Sequence, residues 1–458
     1  MEKCFIEELA ESINGKIINN CRRKIISGVS TDTRTIKSGD VYFALEGKNF
    51  DGHNFIKEAY QKGAVAVVCT KDECNFYDDV ALIKVENTLK ALGSFAKFYR
   101  RKFDNAKVIA ITGSNGKTTT KEILASILKT KGKAISNEGN FNNRIGLPLS
   151  LFRLTFDTDY AVFEMGTSLF GEISILSGIL HPDAAIITNI GFSHLETFGN
   201  LEGVFKEKVA LCDNIKENGY TILNSDDEFL NKITSNKGKI YTFSLNSKSS
   251  VFAKNIIFHS DKTEFDFCYK KDSIKIFMTA KGKFNVLNAL AAGTCAIVFG
   301  FSLEEIKSGI ENFIPPKMRL ETYVVRNKGI LINDAYNANP SSMRESISAV
   351  KQAYPEKKLF LILGDMLELG KESQKFHFEL GKFISLQKIA GVFLLGEMTK
   401  WTKGAIAKNV FHTINPQEIV DKLKEIKSNE NSVYLFKASR GLNLEKVFSK
   451  LHKFLNAD

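Results

Sequence analysis

Disulfide-type cysteine patterning is missing from this 458-residue chain. Its seven cysteines (Cys4, Cys21, Cys69, Cys74, Cys212, Cys268, Cys295) are odd in number, scattered, and never spaced as C-x-x-C. A disulfide framework and a cysteine-built zinc site are therefore not expected, and reduced thiols in a cytoplasm are. Also missing is any apolar run near the roughly 18 to 20 residues that span a bilayer, so no stable membrane insertion is expected. The start, Met1-Glu2-Lys3-Cys4-Phe5-Ile6-Glu7-Glu8, is acidic and amphipathic, unlike a secretory signal. The net charge is +11, yet there is no basic arm and no basic stripe laced with aromatics. Lysines alternate with acids, as in Lys422-Leu423-Lys424-Glu425-Ile426-Lys427. That is a solvated surface rather than a nucleic-acid footprint, although a positive field helps to gather anionic substrates.

What is present is ordinary globular composition, 43% hydrophobic and 25% charged, at a length that calls for more than one core. Three segments are expected: 1–104, 105–314 and 315–458. In the first, short β-type stretches (Val41 to Leu45, Ala64 to Val68) alternate with helical ones (Phe55 to Gln61, Leu89 to Arg101). In the second, the runs Val108–Ile111, Tyr160–Phe163, Ala184–Thr188, Tyr220–Leu223 and Lys239–Phe243 are continuously apolar. Strands buried on both faces of a mostly parallel sheet read this way. Alternation between Val251 and Met278 predicts antiparallel strands. Ile314-Pro315-Pro316 then punctuates the chain and is expected to act as a hinge. A second doubly wound pattern follows, with strands at Gly329–Asn333, Leu359–Leu363, Gly391–Leu395 and Ser432–Phe436. The fold class is α/β in three parts, and ligands are expected at the carboxyl ends of strands.

The most telling stretch is Thr112-Gly113-Ser114-Asn115-Gly116-Lys117-Thr118-Thr119, between a β-type run and a helical segment from Thr119 to Lys129. Backbone N–H groups of such a turn, with a helix N-terminus, form a concave anion site. Lys117 adds a point charge for the outer phosphates, and the Thr118 hydroxyl is expected to be able to take one position on Mg²⁺. The common pattern G-x-x-x-x-G-K-[ST] wants a glycine where Ile111 stands. ATP is the expected nucleotide; motor, kinase, GTPase and ligase all remain open on this motif alone.

Other polar residues fall where strands end. Glu164 follows Tyr160–Phe163 and is placed to hold Mg²⁺, against the alternative of a helix-capping acid. His194 lies just past the strand at Ala184–Thr188; a lone histidine is more often structural than a ligand. Lys208, fourteen residues further on, has nothing in composition to mark it. Asp334-Ala335-Tyr336-Asn337-Ala338-Asn339-Pro340 is polar and turn-rich, as a binding loop is.

Taken in order, these motifs resemble the Mur ligases, the ATP-dependent amide-forming enzymes of peptidoglycan precursor synthesis, over essentially the whole length. Further marks are Ser30-Thr31-Asp32-Thr33-Arg34 with Asp51-Gly52-His53, Asn140-Phe141-Asn142-Asn143, Gly282 to Ala292, and Gly364-Asp365-Met366-Leu367-Glu368-Leu369-Gly370. The Asp334–Pro340 loop and this last run are similar to the branch that adds D-alanyl-D-alanine, and the Asp-Asn-Pro-Arg motif of the third-residue-adding branch is absent. Lys283 and Phe284 replace the histidine usual before the first asparagine of the adenine motif.

The resemblance implies an N-terminal α/β domain holding a UDP-sugar through Ser30, Asp32, Arg34 and His53. It implies a central ATP-binding domain and a Rossmann-like C-terminal domain. Gly113 to Thr119, Asn285, Asn288, Arg319 and Asp334 would hold ATP. Two Mg²⁺ ions would use Thr118 and Glu164, and His194 with a carbamylated Lys208. Lys117, Glu164, His194 and Lys208 would form the catalytic set. Asn140, Asn142 and Asn143 would lie near the muramoyl peptide, and Asn337, Asn339 and Pro340 near the incoming dipeptide. The implied reaction joins D-alanyl-D-alanine to UDP-N-acetylmuramoyl-tripeptide through an acyl phosphate, in the cytoplasm of a bacterium, with a monomeric enzyme. The alternatives are a sister ligase adding the third residue, a folylpolyglutamate synthase-like ligase and, from another class, a nucleotide-gated binding protein or nucleic-acid ATPase.

Overall fold

The structure, a computed structural model, describes residues 1–19, 24–47, 49–71, 79–234, 237–246 and 248–456. Cys21 and Cys74 lie outside the described residues; the five described cysteines are free and buried.

Three sheets carry the fold. The first has five strands in the order Lys16–Ile17, Ala81–Lys84, Ala66–Cys69, Asp40–Phe43, Gly28–Ser30. The second has nine: Ala134–Ser136, Tyr160–Glu164, Lys107–Thr112, Ala184–Ile187, Tyr220–Asn224, Lys239–Ser244, Val251–Phe258, Thr263–Tyr269 and Asp272–Met278. Its first seven strands run parallel and its last two are antiparallel additions. The third has six, in the order Glu321–Val325, Gly329–Asn333, Ser432–Lys437, Lys358–Gly364, Gly391–Leu395, Val410–Thr413, with only the first pair antiparallel.

Continuous apolar runs become central strands because both faces are covered. Ile109, Ile111, Val162 and Ile186 pack one way, against the helices Lys117–Leu128 and Lys283–Val298. Val108, Ala110, Phe163 and Ile187 pack the other way, in a core shared with Phe95 and Tyr99 of the helix Thr88–Arg100. Tyr99 ties that helix down further, its hydroxyl donating to the Leu154 carbonyl at 2.7 Å. Truncating a fully buried ring such as Phe95 to alanine costs about 3–5 kcal/mol.

The strands Ala134–Ser136, Glu321–Val325 and Val410–Thr413 were not expected from sequence. They lie at sheet edges, where half-buried residues weaken the apolar signal. The phosphate-loop helix begins at Lys117, two residues earlier than its sequence suggests, because Gly116 (φ 82°) caps it directly. Ile314-Pro315-Pro316 lies outside regular structure, with Ile314 84% exposed.

In the nine-stranded sheet Lys107–Thr112 lies between Tyr160–Glu164 and Ala184–Ile187, so successive crossovers leave it in opposite directions. Such a switch point opens a crevice beyond the carboxyl ends of the strands.

Candidate active site

The loop leaving Lys107–Thr112 turns through two glycines in left-handed or otherwise forbidden backbone. A Cβ on Gly113 (φ +149°) would meet Thr188 Oγ1 at 1.9 Å, and one on Gly116 (φ +82°) would meet Asn288 Oδ1 at 2.2 Å. Only glycine permits this approach. Sequence reasoning expected the amides from Ser114 to Thr119 to face a ligand, and the structure narrows that set. The Ser114 and Asn115 amides donate to the backbone oxygen and Oδ1 of Asn189, at 3.0 and 2.9 Å. The amides of Gly116, Lys117, Thr118 and Thr119 have no acceptor among the described residues. Four unspent donors on a helix N-terminus are an anion nest.

Around the nest, charges are held without their opposites. Among the described residues Lys117 Nζ donates only to loop carbonyls, Gly113 at 2.7 Å and Ser114 at 3.4 Å. Enclosure pushes its pKa down; Glu164 opposes that and Arg319 adds to it. Glu164 ends its strand, so it lies at the carboxyl end of the sheet, where it lines this region. Its Oε1 accepts from Asn142 Nδ2 at 3.0 Å, and its Oε2 is buried with no hydrogen-bond partner among the described residues. It does not cap a helix. Lys208 is 2% exposed, and its ammonium makes no hydrogen bond or ion pair among the described residues. Burial, then the neighbouring Lys117, lowers its pKa well below the lysine norm, with Glu207 opposing. An orphaned carboxylate oxygen and two starved ammonium groups in one cleft fit phosphate and a divalent cation.

The third sheet closes the cleft. Arg319 Nη2 donates to Thr118 Oγ1 at 3.1 Å and its guanidinium stacks on Tyr336 at 4.4 Å. Asn339 and Ser341 reach Asn115 in the phosphate loop, at 2.7 Å (Asn339 Nδ2 to Asn115 Oδ1) and 2.9 Å (Asn115 Nδ2 to Ser341 Oγ). Pro340 opens the helix Pro340–Ala353, capped by Asn339. His194 Nδ1 lies 2.6 Å from Glu368 Oε2, a bond that lowers the Glu368 pKa.

One cleft of about 840 Å³ is lined by Ser114 to Thr118, Asn140, Asn142, Asn143, Glu164, His194, Lys208, Arg319, Asn337 and Asn339. A second cavity of about 320 Å³ adjoins it, shared by Asn115, Gly116, Asn189, Phe284 and Asn288. Asn285 sits behind, its Oδ1 accepting from Asn288 Nδ2 at 3.0 Å. Asn285 and Pro340 line neither cavity, and three further groups of expected residues also stay outside both. Gly113 and Thr119 shape the loop from behind. Asp334 is committed to Lys437 Nζ at 2.6 Å and to Ser346 Oγ at 2.6 Å. Ser30 ends a strand of the five-stranded sheet, Asp32 and Arg34 lie in the turn after it, and His53 lies in the short 3₁₀ helix Gly52–Phe55. There Arg34 grips Asp32, and His53 is held at Nδ1 by Asp51 (2.7 Å) and at Nε2 by the Thr70 amide (3.0 Å).

Sequence reasoning passed over several members of the site. Lys437 follows the apolar run Ser432–Phe436, a strand-end signal that was readable. Glu207, whose carboxylate accepts from Thr167 Oγ1, the Gly171 amide and the Ile173 amide at 3.0, 2.6 and 2.8 Å, has no such signal. Asn137, which brackets Glu164 through both backbone groups, has none either.

Comparison with known proteins agrees with this geometry. Residues 111–296 match the family model described as Mur ligase middle domain, 318–440 the Mur ligase, glutamate ligase domain, and 25–100 the Mur ligase family, catalytic domain. A UDP-N-acetylmuramoyl-tripeptide–D-alanyl-D-alanine ligase of Bacillus subtilis (strain 168) is 35% identical, covering 98% of this chain and 99% of the relative. The crystal structure of MurF from Acinetobacter baumannii is similar with a TM-score of 0.93 at 30% identity, covering 99% of both chains. That of MurF ligase from Thermotoga maritima in complex with ADP has a TM-score of 0.85 at 29% identity, covering 94% of this chain and 98% of that one.

Proposed function

The chain belongs to the Mur ligase family, and from that premise we propose that it joins D-alanyl-D-alanine to UDP-N-acetylmuramoyl-tripeptide using ATP. The observation that carries this reading is the single cleft in which the amide nest at 116–119, Lys117 and the orphaned Glu164 oxygen face the asparagines of the Asp334–Pro340 loop. The terminal carboxylate of the tripeptide attacks the γ-phosphorus of ATP, releasing ADP and leaving an acyl phosphate. The dipeptide amine then attacks the acyl carbon, and the tetrahedral intermediate expels phosphate.

Two anions must meet in the first step, so stabilising positive charge is the main requirement. The nest and Lys117 hold the outer phosphates. The 320 Å³ cavity beside Gly116 and Asn288 takes the base, with Arg319 of the larger cleft on the phosphate side and Asp334 acting from behind through Lys437, which lines that cleft. Thr118 and Glu164 would hold one Mg²⁺, and His194 with Lys208 a second; when bound, these ions neutralise phosphate oxygens. Lys208 suits that role because burial favours its neutral amine, which adds CO₂ and loses a proton to become an anionic oxygen ligand. Asn140, Asn142 and Asn143 orient the muramoyl peptide. Asn337, Asn339 and Pro340 place the dipeptide, and the turn at Ser30, Asp32 and Arg34, with His53 bracing the neighbouring strand, takes the UDP-sugar.

The three units 1–104, 105–314 and 315–458 close around this junction about Ile314-Pro315-Pro316. In this reading the enzyme acts as a monomer in the bacterial cytoplasm; no helix among the described residues is long and apolar enough to cross a membrane. The deciding experiment is mass spectrometry of the product from ATP, UDP-muramoyl-tripeptide and D-alanyl-D-alanine, with ¹⁸O in the tripeptide carboxylate. Ligated product and label in orthophosphate are expected. Acceptance of diaminopimelate or lysine instead, or ATP turnover stimulated by DNA, would overturn the reading. Small-angle scattering should show compaction with ATP analogue plus UDP-tripeptide; no change would remove the hinge.

A further inference from the structure

His194 belongs to one sheet by sequence and to another by packing. The chain reaches it from Ala184–Ile187 of the nine-stranded sheet. The residues that follow, Leu195 and Phe198, are buried in the core of the six-stranded sheet with Leu369 and Phe376. Phe192, just before it, lies 4.7 Å ring to ring from Phe376. The Glu196 amide donates to the Glu368 carbonyl at 3.1 Å. Gly370 (φ +54°) comes so close that a Cβ there would sit 3.1 Å from Glu196 Cα.

At the centre of this clasp two side chains meet, His194 Nδ1 and Glu368 Oε2, 2.6 Å apart. Both residues have left-handed backbone, φ 52° and 62°. That conformation is unfavourable for a non-glycine residue, which persists in it only where its surroundings over-determine it. An imidazole held at Nδ1 by a carboxylate keeps its proton there and presents the Nε2 lone pair. His194 lines the cleft that also holds Lys208 and Glu164.

We propose that Glu368 is a positioning residue of the ligation reaction: reaching from the C-terminal sheet, it fixes His194 so that Nε2 is offered to a divalent cation only while that sheet is docked. This rests on the assignment of His194 as a cation ligand under Proposed function. It makes the Gly364–Gly370 run a sensor of closure rather than a substrate contact. Cation binding and domain docking then favour one another, because the same clasp serves both.

The test uses the full-length protein and Mn²⁺ as the probe, counted by electron paramagnetic resonance in the presence of a non-hydrolysable ATP analogue. Glu368→Met keeps volume and removes the acceptor; Glu368→Gln restores one. For Glu368→Met the weaker Mn²⁺ affinity and kcat are expected to fall about 10–100-fold, with nucleotide affinity held and Glu368→Gln recovering part of the loss. In a His194→Ala background, Glu368→Met should cost nothing further. Mn²⁺ binding within about twofold of wild type, or costs that multiply in the double variant, overturns the proposal. Should Glu368→Met fail to fold, ¹⁵N–¹H spectra of the wild-type imidazole decide: Nδ1–H supports it, Nε2–H overturns it. The Mn²⁺ measurement needs no amine substrate. A wild-type protein that shows the coupling yet refuses D-alanyl-D-alanine would sink the substrate assignment and leave Glu368 in its role.

Discussion

The central and C-terminal sheets share one architecture and handle strand-end charge in opposite ways. At the carboxyl ends of the central strands, Lys117 and Lys208 lack a paired anion among the described residues, and Glu164 keeps one oxygen unpaired among them. At the corresponding ends of the C-terminal strands, Asp334 and Lys437 neutralise each other at 2.6 Å, and Ser346 takes the same carboxylate oxygen. Buried charge without a partner is costly, so it survives where a ligand supplies the partner. Paired buried charge serves instead to set geometry, here that of the loop from Asp334 to Pro340, whose Asn337 carbonyl also accepts from Lys437 at 3.1 Å. One sheet is built to be completed by substrate, the other to hold a shape.

The sharpest way to break this contrast is Lys117→Ala. Ligation should fall by at least about 10²–10³-fold, followed as ADP release, while the unfolding transition stays put or moves up. A parallel loss of stability would mean that Lys117 is structural. Asp334→Ala tests the other side, since it strands Lys437 in the interior. A cost of about 3–5 kcal/mol in denaturant titration is expected, with Asp334→Ala/Lys437→Met recovering part of it.

Lys208→Met refines the comparison through pH. Because the folded-state pKa of Lys208 is depressed, the native form binds fewer protons than the unfolded chain between that value and the usual 10.5. Stability therefore rises with pH across that window, and the penalty is fully felt below it. In metal-free, CO₂-depleted buffer the methionine variant should be more stable than wild type at neutral pH and equal to it above 10.5. A variant less stable at pH 7 would show that Lys208 has a partner after all.

The smallest effect lies on the five-stranded sheet. Arg34 holds the Asp32 carboxyl down to about 2 from 3.8, at a site 37% exposed. That contribution is present above 3.8 and fades as pH falls through about 2. Asp32→Asn should cost under about 1 kcal/mol at pH 7, with the difference vanishing toward pH 2 in acid titrations.

Much of the site was legible before any coordinates. The order strand, Gly113 to Gly116, Lys117, helix carries the phosphate nest because each feature is local: a turn geometry, a missing side chain, a helix start. Glu164 was legible for the same reason, as the first polar residue after a buried run. Asp334 was legible as a strand-end acid and Lys437 was readable in the same way, but their pairing was not, since the two are 103 residues apart and meet only because their strands are neighbours. Glu368 and Glu207 are surface-type letters on their own segments, and only packing gives them work.

Local sequence by itself determined the anion nest, the parallel sheets and the positions of the strand-end polar residues, since backbone conformation and hydrophobic period depend on near neighbours. Tertiary structure alone decided which charges remain unspent and which cancel, and that His194 is gripped from the far sheet. Those outcomes depend on through-space distances of a few ångströms between segments far apart in the chain, and on the low-dielectric interior that makes such distances matter.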